Sequence, residues 1–192
     1  MTSAVHGIGI DREFASADFR TAMRHLPGGV SVITVGRGKE ISGMTVTSVA
    51  SLALDPPTLI ISINRHSSSW SLLKRFGSFG VNILSADQLD VAERFSGQGG
   101  LQGADRFAGA EWTKHVSGVP LLVGALAAID CEVDEIVERH SHAIVIGRVL
   151  HLQQTTRKAA LAYWQGKYVA IDQDEDAIKL AEVSLPSGHA HI

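Results

Sequence analysis

The hydrophobic pattern of this chain consists of short runs with period-two alternation, separated by glycine- and proline-rich turns. Val30-Ser-Val-Ile-Thr-Val35 reads as a strand, and Gly36-Arg-Gly-Lys39 turns it into a second. That second strand carries Gly43 to Leu54 and ends at Asp55-Pro-Pro57, and a third spans Thr58 to Ile63. Phe79–Leu84 and His142–Leu152 predict further strands, and Leu121–Val137 holds one or two more. Trp112–Val116 reads as an edge strand, and Tyr163–Ile171 as a hairpin turning at Gln165-Gly166. Helical spacing is confined to three short segments. Ser16–His25 places Phe19, Met23 and Leu26 on one face and stops at Pro27-Gly28-Gly29. Ser67–Phe76 ends at Gly77, and Ser85 caps Ala86–Phe95. Ser96–Gly103 is a loop. The expected fold is mainly β with peripheral helices, a closed or split antiparallel barrel rather than a doubly wound parallel sheet. No repeat or linker divides the chain. It reads as an N-terminal extension (1–15), one domain (16–172) and a tail (173–192).

One stretch breaks the apolar logic of a strand. In Gly43-Met-Thr-Val-Thr-Ser-Val-Ala-Ser-Leu, the hydroxyls of Thr45, Thr47, Ser48 and Ser51 interrupt the apolar residues. Buried hydroxyls need partners, so they find local hydrogen bonds or they meet a polar ligand. Threonine is also simply a good strand former.

Composition narrows the function classes. The 192 residues suffice for one full core. Seventeen basic side chains against 20 acidic ones argue against a dominant electrostatic grip on nucleic acid or on an anionic membrane. No apolar run is long enough to span a bilayer, and the first residues lack the order of a secretory signal. Cys131 is the single cysteine, which excludes an internal disulfide. A cytoplasmic protein with Cys131 packed in the core is expected.

Two nucleotide-binding loops are absent. Gly7-Ile-Gly9 and Gly36-Arg-Gly38 lack the third glycine of a dinucleotide fingerprint, and no glycine loop leads into Gly-Lys-Ser/Thr. Asn64-Arg-His-Ser-Ser-Ser-Trp70 leaves a strand and enters a helix. The free N–H groups there, with Ser67 to Ser69 and Arg65, suit a phosphate, although one serine acting as an N-cap explains the same residues. His140-Ser-His142 places two imidazoles on one side of a strand, but no third ligand stands at a telling spacing, so no metal site is expected. His189 and His191 belong to the tail.

The order of these segments resembles the flavin reductase-like family of FMN-binding split barrels, which includes reductase components of two-component flavin monooxygenases. The matching pieces are Phe19-Arg-Thr-Ala-Met23, Gly29-Val-Ser-Val-Ile-Thr34, Gly43-Met-Thr-Val-Thr-Ser48 and Asp55-Pro-Pro57. They continue with Ser67-Ser-Ser-Trp70, Phe79-Gly-Val-Asn82, Asp87-Gln88, Asp105-Arg-Phe107, Gly118-Val-Pro-Leu121 and His142-Ala-Ile-Val-Ile-Gly147. They run in order from about Phe19 to Tyr168.

The resemblance implies a homodimer with FMN or FAD near the subunit interface, NADH or NADPH as hydride donor, and a partner monooxygenase that receives the reduced flavin. It implies that Thr45, Val46, Thr47 and Ser48 line the isoalloxazine and ribityl chain. Ser62, Asn64, Arg65, Ser67 and Ser69 would surround the phosphate. Asn82 and Ser85 would sit near the flavin, with Arg106 and Phe107 closing over it. His142 matches the histidine of the family's Gly-Asp-His segment, beside the nicotinamide, and is the expected catalytic residue. That segment reads His140-Ser-His142 here, and Gly28 stands where a threonine usually precedes Gly29. Two other readings share these residues: a flavoprotein that keeps its flavin and reduces ferric iron or a quinone, and a flavin or haem binder without turnover.

Overall fold

The computed structural model describes residues 16–97, 99–155 and 159–172. The expected extension (1–15) and tail (173–192), with His189 and His191, lie outside the described residues. Helix α1 (Ser16–Met23) is followed by strands β1 (Gly28–Gly29), β2 (Ser31–Arg37), β3 (Glu40–Val46), β4 (Val49–Leu54) and β5 (Pro57–Asn64). Then come α2 (Ser68–Phe76), β6 (Ser78–Ile83), a 3-10 turn at Ala86–Gln88 that runs into α3 (Leu89–Phe95), and a second such turn at Gly103–Phe107. The chain continues through β7 (Trp112–Lys114), β8 (Pro120–Leu122), β9 (Ala127–Arg139), β10 (His142–Gln154), β11 (Ala160–Trp164) and β12 (Lys167–Ile171).

Seven strands form one sheet in the order β3-β2-β6-β9-β10-β5-β4, antiparallel at every step. The mainly-β barrel expected from the pattern is the fold found. One predicted strand divides. The sequence joins Gly43 to Leu54, but the chain breaks the run at Thr47-Ser48, and β3 and β4 occupy opposite edges of the sheet. A chain advances at most about 3.6 Å per residue, so a two-residue link forces those edges together and the sheet must roll. Hydroxyls on either side pin the break. Thr45 Oγ1 donates to the Ala92 carbonyl (2.6 Å), and Ser48 Oγ donates to the Ser62 carbonyl (3.0 Å).

The pattern also misplaces His140. It sits in the two-residue β9–β10 turn at φ 49°, not on the strand, so it does not share a face with His142 through strand alternation. Gln165-Gly166 does turn the β11–β12 hairpin. Both residues have positive φ (49° and 82°), as a type I′ turn requires, and only glycine adopts the second without strain.

The core has two parts. Ile33, Val35, Leu59, Ile61, Ile63, Phe79, Val81, Cys131 and Val145 fill the rolled sheet, and α2 closes it with Leu73. Val30, Val32, Phe95, Phe107, Leu121 and Leu161 form the second cluster, with α3, β8 and β11 against the other face of β2. β2 is therefore buried along nearly its whole length. Cys131 is fully buried, and burial first, then the neighbouring Asp130 charge, pushes its thiol up to about 12. It stays protonated and inert at neutral pH. Among the described residues no helix is long and apolar enough to cross a membrane.

Gly43 sets how closely β3 packs. A Cβ there would stand 2.6 Å from the Ile33 carbonyl oxygen and 2.7 Å from a Phe95 ring carbon. Gly43→Ala is therefore expected to destabilise the fold by about 1–3 kcal/mol. A chemical denaturation midpoint equal to that of the wild type would contradict this packing.

Candidate functional site

β5 and β10 pair so that His142 stands opposite Asn64, and Ile144 opposite Ser62. Alternation puts His142, Asn64 and Ser62 on one face, while Ile61, Ile63, Ala143 and Val145 point into the barrel. The end of β3 and the crossover supply the facing wall. Met44, Thr45, Val46, Thr47, Ser48, Ser62, Asn64 and His142 line a cleft of ≈ 350 Å³. No carboxylate is among them. The structure thus brings together seven of the residues expected from the sequence, separated by almost a hundred positions, and adds Met44.

The hydroxyl accounting decides what this wall offers. Thr45 and Ser48 spend their hydroxyls locally, and Ser48 Oγ also accepts the Ser62 N–H at 3.3 Å. Thr47 is exposed, and its hydroxyl has no partner among the described residues. Asn64 Oδ1 accepts the His66 N–H (2.9 Å), while its Nδ2 donates to no described group. His142 Nδ1 pairs with Ser141 Oγ at 2.9 Å. The groups left over among the described residues are Thr47 Oγ1, Asn64 Nδ2 and the second nitrogen of His142, which donates or accepts according to the tautomer.

Beside Asn64, the chain turns into α2. Ser67 holds the N-cap position but makes no capping bond. Its hydroxyl donates instead to the Asn64 carbonyl at 2.7 Å. The first turn of α2 contains no acidic residue, so nothing on the helix itself neutralises its positive end. The simple reading of Ser67 as a side-chain cap does not hold.

Other expected residues stand elsewhere. Arg65 faces the β9–β10 turn: Nη2 pairs with Glu138 at 2.5 Å and Nη1 donates to the His140 carbonyl at 3.0 Å. Ser69 is buried and donates to Ser42 Oγ (3.0 Å). Asn82 is fully buried as a clamp, donating to the Val32 carbonyl (2.9 Å) and accepting the Leu122 N–H (2.7 Å). Ser85 bonds Asp87 and closes a reciprocal cap with Gln88. Phe107 packs against Phe95 and Trp112. Arg106 reaches the Gly43 carbonyl (2.6 Å), tying the second 3-10 turn to β3. These side chains build the scaffold and line no part of the cleft.

Sequence reasoning missed four residues of a second group: Val30, Ser96, Tyr163 and Tyr168. Val30, Thr45, Val46, Thr47, Ser96, Tyr163 and Tyr168 line an adjoining cavity of ≈ 270 Å³. Tyr163 and Tyr168 are cross-strand partners, with ring centroids 5.3 Å apart. Burial, then Tyr163 and then Glu93, raises the Tyr168 pKa above the ordinary phenol value, so Tyr168 remains a neutral hydrogen-bond donor. The signal was an aromatic pair flanking a type I′ turn. Among the described residues no three His, Cys, Asp or Glu side chains gather as metal ligands.

The two cavities share Thr45, Val46 and Thr47. Together they offer small side chains, a tyrosine pair and neutral hydrogen-bonding groups, and Asn64 of the larger cleft adjoins the start of α2, whose first turn holds no acidic residue. That set fits a flat, polar-edged ring with an anionic tail, as a flavin is.

The comparisons agree with this fit. Residues 23–172 match the model of the flavin reductase like domain. The chain is 33% identical over 157 residues to the reductase subunit HsaB of a flavin-dependent monooxygenase from Rhodococcus jostii, covering 82% of this chain and 78% of that protein. It is 31% identical to the FMN reductase (NADH) RutF of Cronobacter sakazakii, over 81% of this chain and 92% of RutF. The solved structure of the NADH:FAD oxidoreductase SgcE6 of Streptomyces globisporus, in complex with NAD and FAD fragments, superposes with a TM-score of 0.75 at 28% identity, covering 82% and 93% of the two chains. This chain belongs to the flavin reductase like domain family.

Proposed function

We propose that this protein is an NAD(P)H:flavin oxidoreductase that supplies reduced FMN or FAD to a partner monooxygenase. The convergence of Thr45 to Ser48, Ser62, Asn64 and His142 on one carboxylate-free cleft beside the start of α2 carries the reading. The activities of the relatives HsaB, the reductase subunit of a flavin-dependent monooxygenase, and RutF, an FMN reductase (NADH), support it.

The chain's own residues bind and orient. Thr45, Val46, Thr47 and Ser48 form a thin wall against which a ring can lie. Thr47 Oγ1 and Asn64 Nδ2 are the free donors for its polar edge or side chain. The uncapped start of α2, with Ser67, receives the anionic end. Arg65 holds the His140-Ser141 turn, and through it His142, in register. His142 orients the nicotinamide beside the ring, which places donor and acceptor for direct transfer. A flavin held there would supply the redox chemistry, as the acceptor of a hydride. No side-chain nucleophile is required.

We also propose a homodimer. No residue of α1 is buried, and Phe19 and Met23 are exposed on it. The face of β5 and β10 that supplies the cleft also carries Ile60, Ile144 and Ile146, and Leu52 and Leu54 lie exposed on β4. An apolar surface of this kind next to a site is where a second copy fits. Sedimentation equilibrium should return twice 20.5 kDa, and a monomer at micromolar concentration would refute the dimer.

The function is tested by mixing the protein with NADH and excess FMN and following nicotinamide absorbance. Multiple turnovers are expected. Reduction of only a stoichiometric flavin would favour a flavoprotein with another acceptor, and no oxidation of either nicotinamide would favour a binder. In the same assay His142→Ala should raise the apparent KM for the nicotinamide roughly three- to tenfold while leaving the separately measured flavin Kd nearly unchanged. An unchanged KM would remove His142 from the nicotinamide site.

A further inference from the structure

Thr47 lines a third cavity, of ≈ 590 Å³, whose walls also include Arg20, Arg24, Leu26, Val49 and Tyr163. Its volume lies in the range of small-molecule sites. Three features give it chemical character.

The first is charge. Arg20 lies on α1, and Arg24 follows one turn later, its N–H bonded to the Arg20 carbonyl at 3.2 Å. That spacing places the two guanidinium groups on one helix face. Neither makes an ion pair or side-chain hydrogen bond among the described residues. The other basic side chains that line a described cavity include Arg94, and it is paired with Asp90. Two guanidinium groups beside a cavity, with no partner among the described residues, favour an anion with several oxygens.

The second is an aromatic wall. Tyr163, like Thr47, lines both this cavity and the adjoining ≈ 270 Å³ one. A half-exposed ring flanked by Leu26 and Val49 suits a flat heterocycle.

The third is position. Gly28 pairs with Tyr163, and Gln165 N–H donates to the Arg24 carbonyl at 3.0 Å, which fixes the end of α1 against the β11–β12 hairpin. Gly28 itself lines the cavity, and a Cβ there would stand 2.9 Å from Thr47 Cβ. The glycine therefore keeps open the wall that Thr47 shares with the flavin cleft, at the position where the family usually carries threonine.

We propose that this cavity binds the adenosine diphosphate moiety of the nicotinamide dinucleotide, a moiety that FMN lacks. The pyrophosphate lies between Arg20 and Arg24, and the adenine lies on Tyr163. The inference rests on the nicotinamide–flavin reading of the neighbouring cleft for the source of the moiety, and on the cavity alone for its chemistry.

The probe is ADP itself. Calorimetry should detect ADP binding to the wild-type protein, and Arg20→Ala/Arg24→Ala should weaken it at least about tenfold. The Arg20→Lys/Arg24→Lys protein, which keeps the charge, should recover part of the loss. Melting temperature and FMN Kd, unchanged between wild type and variants, show that the fold and the flavin cleft are intact. Two kinetic arms then identify the source. A rise in NADH KM with FMN as acceptor assigns the cavity to the hydride donor. A loss of FAD affinity with NADH KM and FMN affinity unchanged would overturn the assignment to the nicotinamide dinucleotide. No ADP binding, or ADP binding equal in wild type and double variant, overturns the proposal. ADP binding in a protein that oxidises no nicotinamide would refute the proposed function and leave the site standing.

Discussion

Between Val46 and Val49 the backbone passes from one edge of a seven-stranded sheet to the other through Thr47 and Ser48 alone. Everything at the site follows from that short crossing. It rolls the sheet, because two residues cannot span an open one. It brings the end of β3 next to the outward faces of β5 and β10. It also leaves a piece of backbone outside any ladder, where small side chains and a free hydroxyl meet three cavities. Thr45 and Ser48 fasten the crossing to α3 and β5 by their own hydroxyls, so the polar residues of an apparently ordinary strand are the pins of the barrel seam.

Much of the fold was legible in the residues. Period-two alternation marked most of the strands, Gly77 marked the end of α2 with its left-handed φ of 60°, and Gln165-Gly166 marked the last hairpin. These are local effects, and local effects are what a sequence displays. The split between β3 and β4 was not legible. Gly43 to Leu54 has the composition of one strand, and the Ala92 and Ser62 carbonyls that hold Thr45 and Ser48 at the break lie far away in the sequence. The displacement of His140 into a turn has the same origin, since β9–β10 register is set by long-range pairing rather than by the dipeptide itself.

The site divides in the same way. The resemblance found the cleft residues from Thr45 to Ser48, with Ser62, Asn64 and His142, because family motifs record which segments meet. It also named Asn82, Ser85 and Phe107, whose side chains here form a core amide clamp, a reciprocal cap and an aromatic cluster outside that cleft. Tyr163 and Tyr168 escaped notice because a cross-strand tyrosine pair looks like sheet packing until the cavity beside it is seen. Arg20 and Arg24 escaped because charges on a short exposed helix look like solvation.

The central claim is that the crossover wall is where a flavin rests. A crystal structure of the protein with FMN tests it most directly. The account predicts the tricyclic ring against Thr45 to Ser48, with the phosphate at the start of α2 near Asn64 and Ser67. Density for the ring at any other surface, with the crossover groove filled by the protein's own side chains, would contradict it.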